Sequence, residues 1–359
     1  MSCKNESEME DCTNDSFDRR ALLTNWADNI IIPSYTLYVD KLQVLESAKD
    51  EFIASANEGN LVQLRDAWLD AYTVWQNTSI YEIGLAENIR LRDYTNSYPL
   101  DESLTDSNIS SGNYDLSLST NLNAQGFPAL DYLINGLGTT DAEIVIQYSS
   151  AVQAENHKKY LTDVSARLSS TAQDVLKDWN ANYRNVFISN DCSSSTSSLD
   201  KLTNDMIFNL EKITRTSMIG LPIDYFGNGA AKDPAKIQAV YKQDVSRELL
   251  IASIKASQDL FNGKYLNSET QGESLKSYLN ELQVSAGGKD LSLVIDEYYD
   301  VAIAKSALLD ENFYTGIGEV DIQKYRDTRE SIHRVVEVLK TNMISALGIK
   351  ADYNDSDGD

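Results

Sequence analysis

Three cysteines and two histidines are all that 359 residues offer for thiolate or imidazole metal chemistry. Cys3, Cys12 and Cys192 form no CxxC and stand beside no histidine, which excludes zinc-ribbon and thioredoxin-like readings. Neither His157 nor His333 sits in an HExxH pattern, so the zincin reading fails as well. His157, in the charged run Glu155–Lys159, reads as part of a solvated helix face, and His333 as a structural residue. GxSxG and P-loop patterns are missing, which removes the commonest hydrolase and nucleotide signatures. Basic residues are scarce, 31 against 55 acidic ones, for a net charge of −24. Such a field repels phosphate backbones and anionic lipid, so nucleic acid is excluded as a partner. No apolar run approaches the roughly 20 residues that span a bilayer.

What the chain does have is helical periodicity. Leu61, Leu64, Trp68, Tyr72 and Trp75 recur at steps of three or four and predict an amphipathic helix over 60–81. Segment 19–56 reads the same way, with Pro33 expected to kink or break it. A third pattern over 140–187 is too long for one straight helix. In the second half Asp233-Pro234 reads as a helix start, with Ile237, Tyr241, Val245, Leu249, Ala252, Ala256 and Leu260 as its stripe and Asn262-Gly263 as its end. Further patterns cover 290–309 and 321–347, and strand-type alternation is nearly missing. The expected fold class is all-α: two helical-bundle halves packed together. A flexible acidic leader (1–16) precedes an N-terminal bundle (17–190) that contains a long loop (92–125). A serine-rich linker (191–199), a C-terminal bundle (200–350) and an acidic tail (351–359) follow.

The polar loop leads directly into an apolar helix start, Gly126-Phe127-Pro128-Ala129-Leu130-Asp131-Tyr132. Embedded there, Asp131 must be paired, hydrogen-bonded or metal-bound, and it is the lead candidate for a site and the one candidate metal ligand. Gly126, Phe127 and Tyr132 accompany it. Tyr81 and Glu82, just before Gly84 at the end of the tryptophan-rich helix, are further ligand-binding candidates. Arg215 and the turn around Gly220 and Pro222 are candidates for the opposing wall of a cleft, with Arg215 a charge partner for Asp131. The same Gly220/Pro222 turn also reads as a helix terminator. The ending Asp352–Asp359 resembles a fragment of a calcium loop but lacks the twelfth-position glutamate, and reads as an acidic tail. Ser2-Cys3 is what a processed bacterial lipoprotein would begin with, making Cys3 a lipidation site; Cys12 and Cys192 lie in polar segments where they can pair in an oxidising compartment.

These pieces together resemble the imelysin-like, peptidase-related proteins of the bacterial cell envelope, in the version found in Bacteroidetes-type bacteria. The resemblance rests on Leu64–Trp68 with Trp75-Gln76, on Gly126–Leu133, on Ile219–Pro222, on Glu248–Leu250 with Phe261–Gly263, and on the terminal Asp355–Asp359. It implies two helical halves with a site where they meet, export as a periplasmic or outer-membrane lipoprotein, and a link to iron. It also exposes a departure. The family's Gly-x-His-x-x-Glu, whose His and Glu are the proposed metal ligands, is Gly126-x-Pro128-x-x-Asp131 here. Proline carries no ligand, and one carboxylate is short of the three protein ligands of a catalytic zinc. The expected function is a non-catalytic envelope lipoprotein that binds a small ligand or a metal ion, iron or another, at the interface of the halves. The membrane is reached only through a lipid anchor, and an envelope protein is a further candidate partner. The alternatives are a metallopeptidase of the same family and a surface adhesion or scaffold protein.

Overall fold

The computed structural model describes residues 15–227, 229–319 and 321–351. Cys3, Cys12, most of the leader and the tail from residue 352 lie outside the described residues. Cys192 is disulfide-bonded. Helices dominate, and the strands among the described residues are a two-residue antiparallel pair, Ser285–Ala286 with Lys289–Asp290.

The tryptophan-rich pattern forms the helix Glu58–Thr78, begun by the Asn57 side chain, which accepts from the Asn60 N–H. Its stripe from Leu61 to Trp75 is buried. Segment 19–54 is helical throughout: Arg19–Asn25 passes through a π-helical stretch, Trp26–Ile31, into Ile32–Ala54. Pro33 breaks nothing, because its missing N–H falls in the first turn after the change of register. The 140–187 pattern resolves into Asp141–Ser149 and Ala154–Asp178, continued by Trp179–Tyr183 and Arg184–Ser189. Helix Ile32–Ala54 packs between Glu58–Thr78 and Ala154–Asp178.

Two segments differ from expectation. The stretch 92–125 holds a ten-residue helix, Glu102–Ser111, and a 3₁₀ segment, Ser119–Ala124, capped by the side chain of Asp101 and held by Asn108–Asn121 and Asn121–Asp115 hydrogen bonds. Its asparagines and aspartates satisfy backbone groups where apolar residues would have signalled a helix. Conversely, Asp233-Pro234 opens a single 3₁₀ turn, Pro234–Lys236, and the α-helix begins only at Ser246. Between them residues 237–245 run as an irregular strap with positive φ at Ala239 and Gln243. Ile237, Tyr241 and Val245 keep an apolar spacing without sharing a helix. The end at Gly263, in the left-handed conformation, is as expected.

Helices Asn209–Gly220, Ser246–Asn262, Leu291–Ser306 and Gln323–Val338 pack against one another, and Ser246–Asn262 also packs on Glu58–Thr78. Residues before and after 191–199 therefore share one continuous hydrophobic core. No helix of the described residues is long and apolar enough to cross a membrane.

Candidate functional site

Helix Gly126–Asp131 starts where the chain can only carry a glycine. Gly126 has φ +72°, and a Cβ there would lie 2.6 Å from the Thr95 carbonyl carbon. That close approach sets Phe127 into the core, stacked on Tyr72 at 4.3 Å, and its carbonyl accepts from Trp68 Nε1 at 3.3 Å. Phe127 is fully buried; it positions the motif and has no surface for a ligand. The helix then passes into a π-helical turn, Tyr132–Gly136.

Asp131, at the end of the α segment, is 1% exposed. Its Oδ2 accepts the Tyr241 N–H at 3.0 Å, and its Oδ1 accepts the Lys242 N–H at 3.0 Å and Asn135 Nδ2 at 2.9 Å. The two successive amides of the 237–245 strap form a concave donor pair, and Asp131 fills it as a bound anion would. Burial pushes its pKa up to about 7, opposed by these three hydrogen bonds and by the Lys242 charge. Beside it Tyr132 packs on the ring of Tyr241 at 5.1 Å and donates to Asp106, while the Tyr241 hydroxyl donates to Glu102 at 2.6 Å. The motif is thus a clasp between the halves.

Arg215 does not face Asp131. It stands on the π-helical segment Asn209–Gly220 inside the second half, with Nη2 3.1 Å from Glu211 Oε1 and Nη1 2.6 Å from His333 Nδ1. Gly220 ends that segment, and Pro222 is buried just after it. The Gly220 carbonyl accepts the Tyr225 N–H and the Pro222 carbonyl accepts the Asp233 N–H, the contacts of a chain reversal. Neither residue stands opposite Asp131, whose partners all come from Asn135 and the strap. His157, read as solvated, is 7% exposed, with Nδ1 3.1 Å from the Gln153 carbonyl, and burial lowers its pKa. Its charged neighbours hid a position that faces Tyr148.

Glu82 stands elsewhere, in a built charge cluster where the two halves meet. The Glu58–Thr78 helix stops at Ser79, and residues 80–84 turn back over a Gly84 of φ +63°. Tyr81 is buried in that turn; its carbonyl accepts the Tyr35 hydroxyl, and burial raises its own phenol. The Glu82 N–H donates to Asp205 Oδ2 at 2.7 Å, and its carboxylate accepts the Arg92 N–H at 2.9 Å. Arg92 Nη1 lies 3.0 Å from Glu82 Oε2, and Nη2 lies 2.9 Å from both Asp205 oxygens. The same guanidinium donates to the Ser79 carbonyl through Nε at 2.9 Å and Nη2 at 2.7 Å, neutralising the carboxyl end of a helix. Burial lifts Glu82 to about 7 and raises Asp205, against the pull of Arg92 in both.

This cluster lines an open cavity of about 300 Å³, walled by residues 82–93 on one side and Lys201, Asn204, Asp205 and Phe208 on the other. A smaller cavity of about 140 Å³ adjoins it across Arg92 and Asp93 and reaches Asn96 and Tyr98. Of the sequence candidates only Glu82 reaches the larger one. Arg92 was hidden in a segment read as an irregular loop, and Asn204-Asp205 interrupt an apolar stripe that Leu202, Met206 and Ile207 continue. A polar pair inside that stripe is the one available signal.

The donor set does not fit the metal that the family motif implies. Pro128 has no ligating atom, and Asp131 is engaged by three N–H donors. Among the described residues no group of three or more His, Cys, Asp or Glu side chains could hold a metal ion.

No curated protein matches the chain. A crystal structure provisionally described as an iron-regulated protein A precursor from Parabacteroides distasonis ATCC 8503 superposes with a TM-score of 0.75 at 18% identity, over 93% of this chain and 96% of that one. An imelysin-like protein from Psychrobacter arcticum 273-4 superposes with a TM-score of 0.69, also at 18% identity, over 93% of this chain and 97% of that one. At that identity the likeness shows the fold. The family model for imelysin matches residues 31–339, and with the helical architecture and the Gly126–Asp131 motif in place, the chain belongs to the imelysin family.

Proposed function

We propose that this imelysin-family protein is a non-catalytic binding protein of the bacterial cell envelope, anchored through Cys3 and acting in iron uptake or a related process. Its ligand occupies the cavity between residues 82–93 and 201–208. One observation carries the non-catalytic part: at the family's motif the carboxylate of Asp131 is engaged by three N–H donors, and position 128 is proline. A group held in that way keeps only about one of its four lone-pair sites and has no neighbouring ligand with which to bind a metal and activate water. The iron connection is supported by the description of the Parabacteroides structure.

The test has two arms. Purified protein with added Zn²⁺ leaves a peptide library uncut, and a deletion strain takes up less labelled iron, restored by the wild-type gene and not by Glu82→Gln. Metal-dependent cleavage lost in Asp131→Ala would establish the metallopeptidase instead. Unchanged iron uptake together with lost surface attachment would establish the adhesion or scaffold protein.

A further inference from the structure

We infer that the cavity between residues 82–93 and 201–208 selects a small organic cation, an ammonium or guanidinium group on an apolar body, read by Glu82, Asp205 and Asn204. The inference rests on the reading of this cavity as the binding site and adds the chemical class of its ligand.

The first argument is charge. Four carboxylates line the cavity, Glu82, Glu87, Asp93 and Asp205, against three cations, Arg90, Arg92 and Lys201. At the rim Arg90 pairs with Asp93 at 2.6 Å, and Lys201 stands 4.0 Å from Glu87. Deeper in, Glu82 and Asp205 share the single guanidinium of Arg92. Two half-buried carboxylates on one cation leave one negative charge without a cation of its own, in a setting where screening by water is reduced. Burial raises the pKa of both acids against the pull of Arg92, and a second cation beside them would oppose that rise further.

The second argument is independent of charge. Asn204 lines the cavity and is 2% exposed. Its Nδ2 donates to the carbonyls of Asp200 and Lys350, both at 2.8 Å, which fixes the orientation of the amide. Its Oδ1 is buried and has no hydrogen-bond partner. A buried acceptor without a donor costs roughly 1–3 kcal/mol, so a ligand whose donor reaches this wall is favoured over one that brings another acceptor. The carboxylates that face the inner cavity are acceptors, and the guanidinium of Arg92 is already bound to Ser79, Glu82 and Asp205.

Buried Ile83 and half-buried Phe208 supply the apolar wall. A carboxylate or phosphate would meet these acceptors with like charge. A hard metal cation would find no third carboxylate or imidazole grouped closely enough with Glu82 and Asp205 to share it, and would sit against the Arg92 guanidinium.

The experiment is calorimetric titration of the full chain at pH 6.5 with phenethylamine and agmatine, against 2-phenylethanol, citrate, Ca²⁺ and Fe³⁺. The amines bind at one site per chain, at least tenfold tighter than the alcohol. They release protons, seen as a heat that varies with the ionisation enthalpy of the buffer, because a bound cation favours the ionised acids. Glu82→Gln weakens them tenfold or more, and the exposed Glu87→Gln, which leaves the fold alone, weakens them two- to threefold. Citrate, a metal ion or the alcohol binding instead, with loss in Glu82→Gln, would overturn the cation class and keep the binding site. No probe binding in a way that Glu82→Gln or Glu87→Gln alters would overturn the binding site itself.

Discussion

A carboxylate at position 131 can stabilise this protein only through the three donors it meets, since burial alone disfavours its charge. Removing it in Asp131→Ala leaves the Tyr241 and Lys242 amides and the Asn135 side chain without an acceptor. The expected loss is about 2–4 kcal/mol, read as a lower urea midpoint at pH 7.5. The pH dependence has a definite sign. The folded-state pKa of Asp131 is about 7, above the ordinary value of 3.8, so between these values the folded chain holds a proton that the unfolded chain has released. The stability from this group is therefore full below about pH 4 and falls as the pH rises towards 7, by roughly 4 kcal/mol at most. Glu82 acts in the same direction between 4.5 and about 7. Urea midpoints at pH 5 and pH 8 check this: wild type is more stable at pH 5, and the difference shrinks in Asp131→Asn. An Asp131→Asn protein with the wild-type slope would place the titration elsewhere.

Elements were legible where apolar residues alone decide them. The Glu58–Thr78 helix follows its stripe to within a few residues, and Gly263 ends its helix in the conformation that glycine prefers. The errors share a cause. In 92–125 the helix Glu102–Ser111 is held by polar side chains, and its buried residues are Thr105, Asn108 and Ile109, which no hydropathy pattern marks. In 233–245 an apolar stripe exists without a helix, because Asp131, Tyr132 and Glu102 hold the strap from outside its own sequence. Partnerships of that kind, more than a hundred residues apart, are set by the fold and leave no local trace. For the same reason Glu82 is legible as a neighbour of a helix end while its partner Asp205, 123 residues away, is not; Arg92 is only ten residues on but lies in a polar stretch without an apolar pattern. Gly126 is the opposite case, a motif glycine with a local physical cause. In Gly126→Ala the new methyl group collides with the rigid Thr95 carbonyl at a positive φ, and the motif helix must move. The expected loss is about 3 kcal/mol or more, seen as a reduced melting temperature or as insoluble protein.

At the scale of the whole molecule, Arg92 joins more of the structure than its neighbours do. One guanidinium ties the end of the Glu58–Thr78 helix at Ser79 to the turn at Glu82 and, across the interface, to Asp205 on the Ser198–Phe208 helix. Such a centre stabilises the assembly only while its acids have a counter-charge, and without the guanidinium two acids face each other in a half-buried setting. Arg92→Met is therefore expected to lose about 3–5 kcal/mol at pH 7.5. The loss should shrink as the pH is lowered, because protonating Glu82 and Asp205 removes the charges that Arg92 compensated. The triple change Arg92→Met, Glu82→Gln, Asp205→Asn then recovers a large part of the stability at pH 7.5 while abolishing binding of the organic cation, since no ionised acceptor remains in the inner cavity. Denaturation curves across pH and amine titrations of these variants separate the two roles. A deficit in Arg92→Met that is equal at pH 5 and pH 8 would mean that the side chain acts through packing on Phe208, whose ring centroid is 5.5 Å away, and that its counter-charge to the two acids is not what holds the halves together.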